Sequence, residues 1–224
     1  MPKKRGQLAG TLETRAYLCE VRAEQDERHG AVITGHPIVF NQVTEICTWA
    51  GTIREVIDPE AIDSATDMRD VRFLVGHDAS MIPLARSRNN NSNSTMQLTP
   101  DETGLGMRAD MDTENNTTAR ALYSAAGRGD ISGMSFAFIV DKEAWDDLDT
   151  DKPLRHIRHI ARIIEVSAVA FPAYEGTDLE AADERNRLES LVSSLESARR
   201  QLAEQRARDE NAQRRNAAIQ ALRR

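Results

Sequence analysis

The sequence lacks the features that define disulfide-rich, zinc-binding and membrane-spanning proteins. Its 224 residues include two cysteines, Cys19 and Cys47, and neither belongs to a CxxC pair or a Cys/His ladder. A structural zinc site is therefore not expected, and two reduced thiols in a cytoplasmic protein are the simpler interpretation. No apolar run approaches the roughly 18 residues that a membrane span requires. The basic start, Met-Pro-Lys-Lys-Arg-Gly, lacks the apolar segment of a signal peptide.

Positive charge is also scarce over most of the chain. The formal net charge is −7, and residues 180–224 contain ten arginines and eight acidic residues. The other 179 residues therefore carry a net charge of −9. Nucleic-acid-binding surfaces are basic, so a nucleic-acid partner is not expected.

Short strand-like runs dominate residues 15–179. Val71, Phe73 and Val75 occupy every second position, which is typical of a half-buried strand. The longest candidates, 131–140 and 157–171, are rich in β-branched and aromatic residues. Many short strands with few helices predict a mainly β protein with peripheral α-helices, built as a barrel or a sandwich.

Two short helices are predicted within this region. Asp58 followed by Pro59 resembles a helix start, and the helix would run to about Thr66. A second helix is expected over 118–126, capped by Asn116 or Thr117 and ended by Gly127.

The last 45 residues predict one long helix, because neither Gly nor Pro occurs after Gly176. An apolar stripe with three- and four-residue spacing fades towards the end; its members are Leu188, Leu191, Leu195, Ala198 and Leu202. The helix is either a docking or oligomerisation arm or a solvated tail. The expected organisation is a flexible segment 1–14, a β domain 15–179 and an Arg-rich helical tail 180–224.

Three short stretches combine an imidazole, a hydroxyl and a carboxylate. His77 follows an apolar strand, where its ring can face a cleft, although a structural histidine is an equal alternative. Ser135 shares a strand face with Gly133 and Ala137, whose small side chains leave room for a substrate carbonyl. A serine becomes a nucleophile when a base takes its proton and a third group orients that base. The alternative for Ser135 is a small residue in a tight strand crossing.

The third group is expected to be Glu165. This carboxylate lies inside an apolar strand and needs a partner, either an imidazolium or an arginine such as Arg162. Asp78 is the rival, but its side chain would point to the opposite strand face from His77.

His156 and His159 offer a metal-hydrolase alternative. Their three-residue spacing on a strand places them on opposite faces, and no cluster of acidic or cysteine partners accompanies them. Neither a metal site nor another cofactor is expected.

Several motifs together resemble the prohead maturation proteases of tailed bacteriophages. They include Asp130-Ile-Ser-Gly-Met-Ser-Phe-Ala-Phe and Glu165-Val-Ser-Ala-Val-Ala-Phe-Pro-Ala-Tyr-Glu-Gly-Thr177. The upstream runs Pro37-Ile-Val-Phe-Asn41, Phe73-Leu-Val-Gly-His-Asp78 and Asp101-Glu-Thr-Gly-Leu105 occur in the same order as in that family. The resemblance spans about residues 15–178 and leaves the C-terminal helix outside.

The resemblance implies a closed β-barrel similar to herpesvirus assemblins, flanked by helices. It also implies a serine endopeptidase with His77 as base, Ser135 as nucleophile and Glu165 as the third member. Such an enzyme would work inside the assembling prohead in the host cytoplasm. It would cleave scaffold, the scaffolding segment of the major capsid protein and itself, and it would form a homodimer or higher oligomer. Self-cleavage could also remove the helical tail. The rival hypothesis is a non-catalytic assembly or scaffolding factor.

Overall fold

The structure, a computed structural model, describes residues 12–170 and 181–221, and this part of the chain is mainly β. Its strands are β1 (Leu12–Leu18), β2 (Arg22–Asp26), β3 (Gly30–Val39), β4 (Thr44–Thr48), β5 (Gly51–Ile57), β6 (Val71–Val75), β7 (Ala85–Ser87), β8 (Met96–Pro100), β9 (Gly104–Asp110), β10 (Gly133–Asp146) and β11 (Leu154–Val169). The helices are α1 (Thr117–Gly127) and α2 (Ala181–Ala221), with a 3-10 turn at Pro59–Ala61. Neither described α-helix is long and apolar enough to cross a membrane.

The described strands pair into two sheets. The larger sheet has the order β1-β10-β11-β5-β4. In the same sheet, β6 pairs with the C-terminal part of β11 and with β7. The smaller sheet has the order β2-β3-β9-β8. Closure of these sheets into one barrel stays a prediction.

Strand β11 organises the larger sheet. It runs antiparallel to β10 along nearly its whole length. Its first part pairs in parallel with β5, and its last part, Glu165–Ala168, pairs in parallel with β6. The end of β6 and the start of β10 therefore lie on either side of the same few residues of β11.

Both sheets contribute to one apolar core. The predicted strand β6 forms, but its burial does not simply alternate: Val71 and Phe73 are fully buried, Leu74 is buried as well, and Val75 is half-buried. Phe136 and Phe138 of β10 stack with their ring centroids 4.5 Å apart, and Tyr17 of β1 lies against Phe136. The core thus holds β1 and β10 firmly together, and the site uses both strands.

The predicted helix near residue 118 is confirmed, and its cap is Asn116. The Asn116 side chain accepts hydrogen bonds from the backbone N–H groups of Thr118 and Ala119. The predicted end at Gly127 is wrong: the helix includes Gly127, and the left-handed glycine that follows it is Gly129, at φ +77°.

The predicted helix from Pro59 to Thr66 is wrong. Only a 3-10 turn at Pro59–Ala61 forms, and the Asp58 side chain makes no capping hydrogen bond. The Asp58 carboxylate instead binds His156 and Arg158 on β11, so these tertiary contacts replace the local cap.

The long C-terminal helix is confirmed, and its apolar stripe packs against the larger sheet of its own chain. Leu191 and Leu195 are buried against Ile53 of β5. Arg199 donates a hydrogen bond to the Leu148 carbonyl in the β10–β11 turn. The side chains from 205 to 217 are exposed, in agreement with the fading of the stripe.

The N-terminal boundary lies earlier than expected. Strand β1 begins at Leu12, and Glu13 is buried, whereas the sequence predicted a flexible segment up to residue 14. Ion pairs of Glu13 with two arginines, described below, account for this ordering. Residues 1–11 and the predicted boundary at 179/180 lie outside the described residues.

Candidate active site

His77 lies in a tight turn directly after β6. Gly76 and His77 both have left-handed backbones, with φ of 60° and 61°. This conformation is uncommon for a residue with a side chain, and it needs support from its surroundings. The support comes from β11: the N–H of Gly76 donates to the Ala168 carbonyl, and the N–H of His77 donates to the Ser167 hydroxyl. The turn therefore folds His77 back towards β11.

Glu165 receives the imidazole of His77. The distance from His77 Nδ1 to Glu165 Oε1 is 2.6 Å. The second carboxylate oxygen, Oε2, accepts a hydrogen bond of 2.6 Å from the Ser167 hydroxyl. The Glu165 side chain is 10 % exposed and that of His77 is 27 % exposed, so the pair sits at the edge of the core. The sequence predicted that Glu165 would need a partner, and that partner is the imidazole.

Ser135 lies on the neighbouring strand, β10. It is paired with Ser167, and the next residue on its face, Ala137, is paired with Glu165. Directly paired residues project to the same side of an antiparallel sheet, so Ser135 shares a face with the His77–Glu165 pair. Its side chain is fully buried, and its hydroxyl donates a 2.7 Å hydrogen bond to the Arg15 carbonyl of β1. The structure thus brings the three predicted side chains to one region, with the Ser135 proton held by β1.

The rival groups have other partners. The Asp78 carboxylate accepts hydrogen bonds from the N–H and the hydroxyl of Ser80, which lower the pKa of Asp78. Arg162, the alternative partner for Glu165, lies 3.8 Å from Asp67. The contact to His77 is therefore made by Glu165.

A buried ionic cluster adjoins the site, and the sequence analysis did not predict it. Arg155, only 3 % exposed, contacts Glu13, Glu55 and Glu143 at distances from 2.5 to 2.9 Å. Arg15 binds Glu55 with Nε and Glu13 with Nη2. Two guanidinium groups thus face three carboxylates. The signal in the sequence was the occurrence of charged residues inside strand-like runs, which requires partners from other strands.

The cluster fixes the charge states of its members. Burial alone would raise the pKa of Glu13, but the charges and hydrogen bonds of Arg15 and Arg155 outweigh it and lower that pKa. Burial opposes the charged form of Arg155 too, but the surrounding carboxylates raise its pKa well above the usual range. The cluster continues to α2, because the Ser194 hydroxyl donates to Glu143. Since Arg15 also supplies the carbonyl that binds Ser135, the cluster connects α2 to the site.

His156 and His159 each contact a pair of aspartates. His156 lies between Asp58 and Asp146, and His159 lies between Asp141 and Asp63. Across 12–170 and 181–221 no group of three or more His, Cys, Asp or Glu side chains is placed to hold a metal ion. The two histidines thus bind β11 to its neighbours.

Comparison with known proteins supports an assignment for the region from β2 to the start of α2. A sequence model of the caudovirus prohead serine protease family matches residues 18–190, which is well over half of the chain. The comparisons find no similar curated protein and no similar solved structure. Most of β1 and the docked turn of α2 fall outside the matched residues. The match takes in all three candidate site residues and the strands that carry them, and on this basis the chain belongs to the caudovirus prohead serine protease family.

Proposed function

We propose that the protein is a prohead maturation endopeptidase that uses Ser135 as nucleophile, His77 as general base and Glu165 as the group that orients the base. The observation that carries the proposal is the 2.6 Å contact between His77 Nδ1 and Glu165 Oε1, on the same sheet face as Ser135. With Nδ1 bound to a carboxylate, Nε2 is the ring nitrogen left for the serine proton.

The reaction follows from these positions. The Ser135 hydroxyl turns from the Arg15 carbonyl towards His77, and its oxygen attacks the peptide carbonyl while Nε2 takes the proton. The imidazolium then gives that proton to the leaving amine, and water hydrolyses the acyl-enzyme by the same route. Glu165 stabilises the imidazolium and keeps the ring in position. Because Ser135 is fully buried, a peptide reaches it only after the groups that cover it move.

The substrates we propose are scaffold, the scaffolding segment of the major capsid protein and the protease itself. An extended peptide would bind by adding to a strand edge, which relies on backbone hydrogen bonds and requires little side-chain specificity. Confinement within the prohead in the host cell would raise the effective concentration of these substrates. No nucleic acid, membrane or cofactor has a role in this proposal, and self-association remains part of it.

We also propose that the two sheets close into an assemblin-type barrel. The N–H of Thr95, beside β8, donates to the carbonyl of Arg86 in β7, at a distance of 3.0 Å. This bond joins the edges of the larger and the smaller sheet. The shared apolar core is what such closure requires.

The test is co-expression of the full chain with its cognate capsid protein, comparing wild type with Ser135→Ala and His77→Ala. Wild type should shorten the capsid protein, and both variants should leave it uncut, because loss of either group typically lowers turnover by at least about 10⁴-fold. Ser80→Ala, at an exposed serine next to the His77 turn, is the control and should cut normally. Normal processing by Ser135→Ala would refute the assignment.

A non-catalytic assembly factor is the second candidate. The observation in its favour is that the Ser135 hydroxyl is buried and donates to Arg15. The same co-expression decides between them, since an assembly factor would support shell formation equally well with serine or alanine at position 135, and the capsid protein would stay whole in both cases.

A further inference from the structure

Ser167 has a position next to the candidate site that the proposed mechanism does not use. It lies on β11 between two neighbours, paired with Ser135 on β10 and with Leu74 on β6. Its side chain is fully buried. A buried hydroxyl needs hydrogen-bond partners, and both partners of Ser167 belong to the candidate base and its carboxylate.

The Ser167 hydroxyl makes one hydrogen bond as donor and one as acceptor. It donates to Glu165 Oε2 at 2.6 Å and accepts from the backbone N–H of His77 at 3.1 Å. A hydroxyl has one proton, and here that proton is committed to the carboxylate. Ser167 thus donates to the carboxylate of the candidate base pair, and the proposed function assigns the nucleophile to Ser135 directly beside it.

The two bonds hold both ends of the His77–Glu165 pair. One carboxylate oxygen faces the imidazole and the other faces Ser167, so the carboxylate plane cannot rotate without losing a hydrogen bond. The bond to the His77 N–H stabilises a backbone with φ of 61°, a conformation uncommon for residues other than glycine. A shift of either group would move the imidazole away from Ser135.

We propose that Ser167 is a positioning residue: its hydroxyl fixes Glu165 and the His77 backbone together, so that the imidazole is aimed at Ser135. This inference rests on the proposed function. It assigns the orientation of the base to a hydroxyl in addition to the carboxylate, and supporting groups of this kind commonly decide whether a site is active.

The first test measures the reaction of the full-length protein with an alkyl fluorophosphonate, alone and after co-expression with the capsid protein. In this reaction the Ser135 oxygen bonds to phosphorus, fluoride leaves and His77 takes the proton. Ser167→Ala should lower the maximal inactivation rate about 10- to 100-fold with little change in probe affinity, as for other lost supporting partners. Ser167→Thr retains the hydroxyl and should recover most of the rate.

Ser87→Ala is the matched control. Ser87 is also a buried serine, but it pairs with Val71 at the end of β6 opposite to His77. It should react at the wild-type rate while losing thermal stability to a similar extent as Ser167→Ala. Equal rates for Ser167→Ala and wild type would overturn the inference, and so would peptide mapping that finds the label on Ser167.

A second test does not depend on catalysis. In NMR spectra, the His77 amide and its Nδ1 proton should exchange with water at least about tenfold faster in Ser167→Ala than in wild type or Ser87→Ala, because a hydrogen bond protects each proton. Unchanged exchange would overturn the positioning role. If wild type fails to react or to cut but the exchange result holds, the proposed function fails while the local role of Ser167 stands.

Discussion

Replacing Arg155 by methionine tests whether the ionic cluster is essential for the fold. Methionine matches much of the volume of arginine but removes the charge. Arg155 is 3 % exposed, and two of its partners, Glu13 and Glu55, are 3 % and 1 % exposed. After the substitution, these two buried carboxylates share a single counter-ion, Arg15. Removing one partner from a buried ionic group typically costs about 3 to 5 kcal/mol.

Urea unfolding followed by tryptophan fluorescence measures this loss, since Trp145 lies beside Glu143 and Ser194. With a slope of about 2 to 3 kcal/mol per molar urea, the midpoint should fall by roughly 1 to 2.5 M. The double variant Glu13→Gln, Arg155→Met removes the surplus carboxylate as well. It should recover about 1 to 2 kcal/mol relative to Arg155→Met alone, a coupling expected for neighbours in one network.

Arg206→Met is the control for loss of an arginine. Arg206 pairs with Asp149, and both side chains are more than half exposed. Exposed pairs of this kind contribute little, so the midpoint should stay unchanged. A loss below about 1 kcal/mol for Arg155→Met, or a double variant that is less stable than the single one, would refute the reasoning.

Three further predictions concern the site, the cluster and the C-terminal helix. Glu165→Gln should lower kcat by about 10³- to 10⁴-fold with little change in KM, as measured on a cleaved capsid peptide, and an unchanged rate would move the orienting role elsewhere. The lowered pKa of Glu13 contributes stability that is complete above the ordinary glutamate pKa of about 4.3 and is lost as pH falls through the pKa of the folded protein. The urea midpoint of wild type should therefore drop between about pH 5 and 3. The midpoint of Arg155→Met should drop less. Leu195→Ala should cost about 2 to 5 kcal/mol and make α2 sensitive to brief trypsin digestion, whereas Leu202→Ala, half-buried farther along the helix, should change little.

The sequence predicted the parts of the site that depend on local alternation. The two-residue period of a strand predicted that Ser135 and Ala137 lie on the same face. The apolar residues around Glu165 predicted a buried carboxylate that needs a partner. The shape of the turn at His77 was not predictable, because it depends on hydrogen bonds that the N–H groups of Gly76 and His77 donate to Ala168 and Ser167, about ninety residues away.

Other contacts could not be predicted either, because they also join residues that are far apart in the sequence. Asp58 has the sequence context of a helix cap, yet its carboxylate binds His156 and Arg158, about one hundred residues later. Glu13 and Arg155 are 142 residues apart and join only because β1, β10 and β11 are neighbours in one sheet. Pairings across such distances depend on strand order, which single-sequence patterns do not determine.

The covering of β5 by α2 has a consequence for any shortened form of the protein. Without this helix, a hydrophobic patch would be exposed to solvent, formed by the side chains of Ile46, Ile53, Trp145 and Leu148. Exposed hydrophobic patches promote association with other proteins. Removal of α2 would therefore shorten the protein and also increase the tendency of its β domain to associate with neighbouring proteins.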